Sequence, residues 1–153
     1  MVTIVSLQAV VEEMELLGEG RHSFLNRRTG ELYGGTDELL AKAEEADDEE
    51  LLGWELEIVA KLREILRSKD WLQVPSRSSH EDYRIMERFC GERCEGEVQQ
   101  DLLSTIQGRG AFGRFKDGIH RWGVQDEWYQ FRQQAMAEQA AAWLEAEGIV
   151  YGP

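Results

Sequence analysis

Apolar residues recur at three- and four-residue steps along most of the chain, the signature of amphipathic helices, and alternate only in one short early region. Leu7, Val10, Val11, Met14 and Leu17 predict a helix over 6–17, with Ser6 at its cap and Gly18 and Gly20 ending it. Residues Arg21–Asn26 and Glu31–Gly35 flank Arg27-Arg28-Thr29-Gly30. That spacing predicts a β-hairpin carrying Phe24, Leu32 and Tyr33, with Gly30 at positive φ in the turn. Thr36 or Asp37 opens a short helix to Ala46. A longer helix is expected over 48–68, with a stripe of Leu51, Trp54, Ile58, Leu62, Ile65 and Leu66. Trp71–Val74, held extended by the proline that follows, supplies a third strand for the hairpin, which is marginal alone.

The second half reads as helices throughout. Ser78 and Glu81 have capping-box spacing ahead of Tyr83, Met86, Phe89 and Cys90. Val98, Leu102, Leu103 and Ile106 mark a helix from about 96 to 107. Phe112, Phe115, Ile119 and Trp122 predict one face of the next. Asp126 is the expected cap of the last, whose stripe is Trp128, Phe131, Ala135, Ala142 and Trp143. Gly148 ends it, and Ile149-Val150-Tyr151 trails away. With no internal repeat and no long linker, the expected fold is one domain over 1–153. Residues 1–75 supply the first helix, the hairpin and acidic helices, and 76–153 the helical remainder. The class is α+β, predominantly helical, with a small antiparallel hairpin of two or three strands against a helical bundle.

Composition adds a charge asymmetry. The chain is 42% hydrophobic with net charge −13, which opposes direct binding to nucleic acid or anionic membrane. No apolar stretch reaches the roughly 20 residues of a membrane span, and the N-terminus lacks the basic start of a secretory signal. Two cysteines make no disulfide scaffold, so the expected compartment is the cytoplasm. Within residues 36–57, ten acids face one lysine, a net of −9; residues 108–122 carry a net of +3. Glu44, Glu45, Asp47, Asp48, Glu49 and Glu50 are the candidate interaction surface, suited to a basic protein partner. Docking of the basic segment on the acidic one, within a chain or across a homodimer, would use the same complementarity.

Chemistry-bearing constellations are sparse. Cys90 and Cys94 have CxxxC spacing and His80 lies near, but a structural zinc site wants a second ligand pair, and His22 and His120 stand far off in sequence. No GxSxG elbow, P-loop or dinucleotide fingerprint occurs. Asp117, between aromatic residues, is the best single carboxylate for acid–base work. The aromatic stripes at helical spacing read as core rather than as a stacking platform. Gly108-Arg109-Gly110 before a helix suggests a small-anion or nucleotide site of Arg109, Arg114, Lys116 and Asp117, since free N–H groups and the helix dipole favour anions there. No metal or cofactor is expected, and the primary reading is a non-catalytic interaction or regulatory module.

The run Gly108–Asp117, together with Trp128-Tyr129-x-Phe131, Ala142-Trp143-Leu144-x-x-x-Gly148-Ile149 and the Arg84–Phe89 helix, resembles an uncharacterised bacterial family, number 0158 of the UPF series. The likeness is specific over about 80–149 and looser before. It implies an α+β domain and no activity. Gly113 and Gly118 depart from that family's pattern and lower helix propensity by roughly 1 kcal/mol each against Ala.

Overall fold

The computed structural model describes residues 3–18, 20–76 and 78–153. Among them are seven α-helices and a three-stranded antiparallel sheet, so the fold is α+β and mainly helical. The chain gathers into two compact units, residues 1–76 with 140–153, and residues 77–139.

In the first unit, β1 (Val5–Ser6) leads directly into α1 (Leu7–Leu16). The Ser6 hydroxyl accepts from the Ala9 N–H at 3.2 Å, satisfying a donor that the helix itself cannot. The hairpin strands are β2 (Arg21–Asn26) and β3 (Leu32–Thr36). Their turn is held by Asn26, whose Oδ1 accepts from the N–H groups of Arg28 and Thr29, while Gly30 sits at φ +78°. Thr36 then caps α2 (Asp37–Glu45) through its hydroxyl. After α3 (Gly53–Arg67), β4 (Trp71–Gln73) joins the hairpin in the order β3-β2-β4, supplying the third strand. Phe24, Ala43, Val59, Leu62, Ile65 and Trp71 form the core between this sheet and α2–α3. A Cβ on Gly35 would lie 3.1 Å from Leu62 Cδ1, so strand and helix are in close contact there.

Two expectations about this unit change. The long helix begins at Gly53, because Asp48–Glu50 form a separate 3-10 turn and Leu51 and Leu52 are extended. Its buried face is Glu55, Val59, Leu62 and Ile65, which leaves Trp54 and Leu66 outside. The C-terminal tail does not trail away: β5 (Tyr151–Gly152) pairs in parallel with β1, Val5 opposite Tyr151.

The second unit contains α4 (Ser79–Arg93), α5 (Gly96–Thr105), α6 (Ala111–Arg121) and the first part of α7 (Gln125–Ala146). The capping box at Ser78 and Glu81 is present. Phe89, fully buried, anchors an aromatic cluster. Its ring lies 5.4 Å from Trp128, 5.6 Å from Phe131 and 6.3 Å from Phe115, mostly edge to face. Such geometry adds roughly 0.5–1.5 kcal/mol per pair to area burial. The α6 stripe is narrower than expected. Phe115 and Ile119 are buried with Ala111 and Gly118, whereas Phe112 and Trp122 are exposed.

In α7, Asp126 lies in the first turn, because the helix starts two residues earlier than a cap at Asp126 implies. Trp128, Phe131 and Ala135 are buried as expected, but the later buried positions are Met136, Ala140 and Leu144, not Ala142 and Trp143. The helix contributes to both units, and its buried positions accordingly do not follow one stripe.

The two unusual glycines of α6 have opposite roles. A Cβ on Gly118 would lie 2.8 Å from Leu102 Cδ2, whereas Gly113 has open space around it. Gly113→Ala is therefore expected to stabilise by about 0.5–1 kcal/mol through helix propensity. Gly118→Ala is expected to destabilise by about 1–3 kcal/mol, because crowding α5 outweighs the same propensity gain. Urea denaturation midpoints check both signs. Trp128→Ala, removing a ring 9% exposed, is expected to lose about 3–5 kcal/mol in the same measurement.

Candidate functional site

The acidic edge is built where α2 ends and α3 begins. Glu44 and Glu45 form the last turn of α2, Asp47 follows, and Asp48–Glu50 make the 3-10 turn. All six side chains are exposed. Arg63, reaching back from α3, fixes their backbone. Its Nε donates to the Ala43 carbonyl at 3.1 Å, one terminal nitrogen to the Ala46 carbonyl at 2.5 Å, and the other to Asp48 Oδ1 at 2.6 Å. Among the described residues, Asp48 is the one member of the six held in an ion pair. Glu44, Glu45, Asp47, Asp48 and Glu49 border a shallow groove of about 660 Å³, which Arg63 and Arg67 also line.

Beneath the edge lies a carboxylate that sequence reasoning missed. Glu55 is 2% exposed, and its Oε2 meets Lys42 Nζ at 2.5 Å while Oε1 accepts the Leu52 N–H at 2.9 Å. Lys42 also approaches Glu38 at 3.4 Å. The Lys42 hydrogen bond, then the Leu52 N–H, hold the Glu55 carboxyl below its ordinary range against the opposing effect of burial. The same contact with Glu55 raises Lys42. Glu55 thus fixes the start of α3, because the Leu52 N–H it accepts is the helix's first unpaired donor. The signal in the sequence was a glutamate three residues into a helix that lacks a polar cap.

Immediately after the acids, three large apolar residues face solvent: Leu52, Trp54 at 63% exposure, and Leu56. Exposed apolar residues beside a charged rim are the composition of protein interfaces, where Trp is enriched at the energetic centre.

The second candidate cluster is arranged differently. Gly108 and Gly110 both take positive φ, and Gly110 precedes α6 without a side-chain cap. Arg114 folds back over this loop. Its Nε donates to the Thr105 carbonyl at 3.0 Å, and its terminal nitrogens to the carbonyls of Gln107 and Arg109. A Cβ on Gly110 would stand 3.0 Å from that guanidinium. Arg114 is therefore committed to the end of α5, leaving Arg109, Lys116 and Asp117 exposed around it. Nearby, Asp101 accepts from Trp122 Nε1 at 2.8 Å and Arg121 at 2.7 Å, and these partners keep its carboxyl low, the Trp122 bond most of all.

The thiols are buried and free, and burial pushes Cys90 up to about 12 and raises Cys94 also, so neither is a thiolate at neutral pH. His22 bridges strands and helix, with Nε2 2.5 Å from Asp37 and Nδ1 3.2 Å from the Gln73 amide. Among the described residues, no group of three or more His, Cys, Asp or Glu is placed to hold a metal ion. No described helix is long and apolar enough to cross a membrane.

Fold and surface together define a small, mainly helical α+β protein with an acidic, partly apolar edge on one unit. The chain belongs to the uncharacterised protein family UPF0158, whose model matches residues 3–151 and so takes in the sheet and acidic helices as well as the C-terminal signature. No curated protein and no solved structure matches it.

The Lys42–Glu55 pair predicts its own test. Lys42→Met leaves a buried carboxylate without its cation and is expected to lower the urea midpoint. Lys42→Met/Glu55→Gln is expected to recover part of the loss, since the neutral amide still accepts the Leu52 N–H. The carboxyl is depressed in the folded state, so its contribution is present above the ordinary carboxylate pKa and disappears as pH falls through the depressed value. The parent's stability should therefore drop on acidification more steeply than that of the double variant. Equal midpoints for all three proteins would mean that the pair is solvated.

Proposed function

We propose that this chain is a non-catalytic interaction or regulatory module of the bacterial cytoplasm, which engages a basic protein partner through the 44–56 edge. One observation carries the reading: Leu52, Trp54 and Leu56 lie exposed directly after the six acids. The carboxylates supply long-range attraction and orientation, and the apolar residues supply contact area once water is expelled. The frame beneath is stiff, since Arg63 and the Lys42–Glu55 pair hold the backbone before any partner arrives. A preorganised edge loses little entropy on binding. Direct nucleic-acid binding is disfavoured by the charge, whereas competition with nucleic acid for a basic partner is natural.

The test compares three baits in a native-cell pull-down: the parent, Trp54→Ala, and a variant with Lys at 44, 45, 47, 49 and 50. The expected outcome is a basic protein retained by the parent, released as salt rises, and lost from the charge-swapped bait. Measured with that purified partner, Trp54→Ala should weaken affinity at least about tenfold. Identical protein sets on all three baits would reject the reading.

A further inference from the structure

The outer side of α6 is the chemical counterpart of the acidic edge. Phe112 is 49% exposed, and Lys116 follows one turn on, on the same face. Arg109, in the loop just before the helix, is exposed too. Among the described residues, no ion pair or side-chain hydrogen bond engages Arg109 or Lys116. Arg114 directs its donors at carbonyls, which leaves its charge uncancelled. Asp117 subtracts one charge, and Arg121 is matched by Asp101. The face thus stays net positive around an exposed ring, on a chain that is acidic as a whole.

Gly113 adjoins both Phe112 and Lys116, and a Cβ there would meet nothing within 4 Å. Glycine inside a helix lowers helix propensity, and no neighbouring element of the chain uses the room it leaves. The missing side chain makes a notch in the helix surface where a second surface can approach the backbone. An aromatic ring entering it would meet the Phe112 ring on one side and the Lys116 ammonium on the other. The edge of the first unit presents such a ring, Trp54, 63% exposed between Leu52 and Leu56. Just before it in sequence stand Glu44, Glu45, Asp47, Glu49 and Glu50, exposed and outside the ion pairs of the described residues.

We propose that the 44–56 edge of one copy docks on the α6 face of a second copy. Trp54 enters the notch at Gly113, and the carboxylates face Arg109, Arg114 and Lys116. Two chains of net charge −13 repel at a distance. The Debye length is about 8 Å at physiological salt, however, so facing charges outweigh distant ones. The proposal rests on the reading of the edge as an interaction surface and adds what controls access to it. A second copy covers the edge, and a foreign basic protein gains it by displacing that copy.

Sedimentation equilibrium of the purified chain tests this without any foreign partner. The expected result is a weight-average mass that rises above that of one chain between about 10 and 500 μM and falls again on dilution, as a small contact allows. Gly113→Leu fills the notch and should weaken association at least about tenfold, without lowering the urea midpoint of dilute protein. Two charge-reversed variants complete the test: Glu44→Lys/Glu45→Lys/Asp47→Lys/Glu49→Lys/Glu50→Lys, and Arg109→Glu/Lys116→Glu. Each alone should be monomeric, and an equal mixture should associate, because each reversed face then meets its complement. Both variants remain net negative, so mixing introduces no general attraction between them. A chain that stays monomeric up to about 500 μM would overturn the inference, and would leave the edge to be judged by the pull-down alone. Unchanged association in Gly113→Leu, or a mixture that stays monomeric, would overturn it equally.

Discussion

The structure depends on how its helix ends are satisfied. Every α-helix leaves carbonyls at its C-terminus without intrahelical donors. Here, three helices in turn receive a donor from the next one along the chain. Arg63 of α3 reaches the carbonyls of Ala43 and Ala46 at the end of α2. Gln99 of α5 donates to the carbonyls of Cys90 and Cys94 at the end of α4. Arg114 of α6 does the same for Thr105, Gln107 and Arg109 at the end of α5. A similar contact closes α7, where Arg27 from the hairpin turn donates to the Glu147 carbonyl.

The same constraint reassigns the cations. In a chain of net charge −13, each arginine invites a reading as a binding group. Arg114 directs its donors at the protein's own backbone carbonyls, and Arg63 divides its donors between backbone carbonyls and Asp48. Gly110 shows how specific this is, for a side chain there would crowd the guanidinium of Arg114 as well as strain a left-handed backbone. The acids have few such duties. Apart from Asp48, the 44–50 carboxylates project to solvent, so the strong negative field at that edge is not cancelled locally.

How much of this was legible follows the physics of each signal. Caps read well, because Ser6, Thr36 and the Ser78–Glu81 pair act on donors within three residues of themselves. The hairpin and its third strand read well too, through Gly30 and the proline after Val74. The start of α3 did not, since periodicity alone carried the pattern back through Asp48. What stops the helix is Glu55, whose burial requires Lys42 from another helix. Likewise Trp54, Phe112 and Trp122 fit helical stripes yet lie exposed, because a stripe predicts which side of a helix is apolar and not how wide the covering element is. Arg114 was legible as a basic residue near a glycine turn, but its target carbonyls lie five to nine residues upstream and leave no local pattern.

These exposed aromatic residues carry an argument about function that charge alone does not. Burying a Trp or Phe side chain removes a large apolar area from water, so covering an exposed one is favourable. In the second unit the core already holds Phe89, Phe115, Trp128 and Phe131 in mutual contact, and Phe112 lines a pocket at its margin beside Trp128. In the first unit Trp54 follows directly on the acids, on a helix start whose frame is pinned by buried ionic contacts. In both places the backbone is held by polar contacts that need no ligand, while the apolar side chain gains its full burial only when something covers it. That division, rigid polar support beneath apolar surface left open to solvent, is the observation on which the proposed interaction role rests.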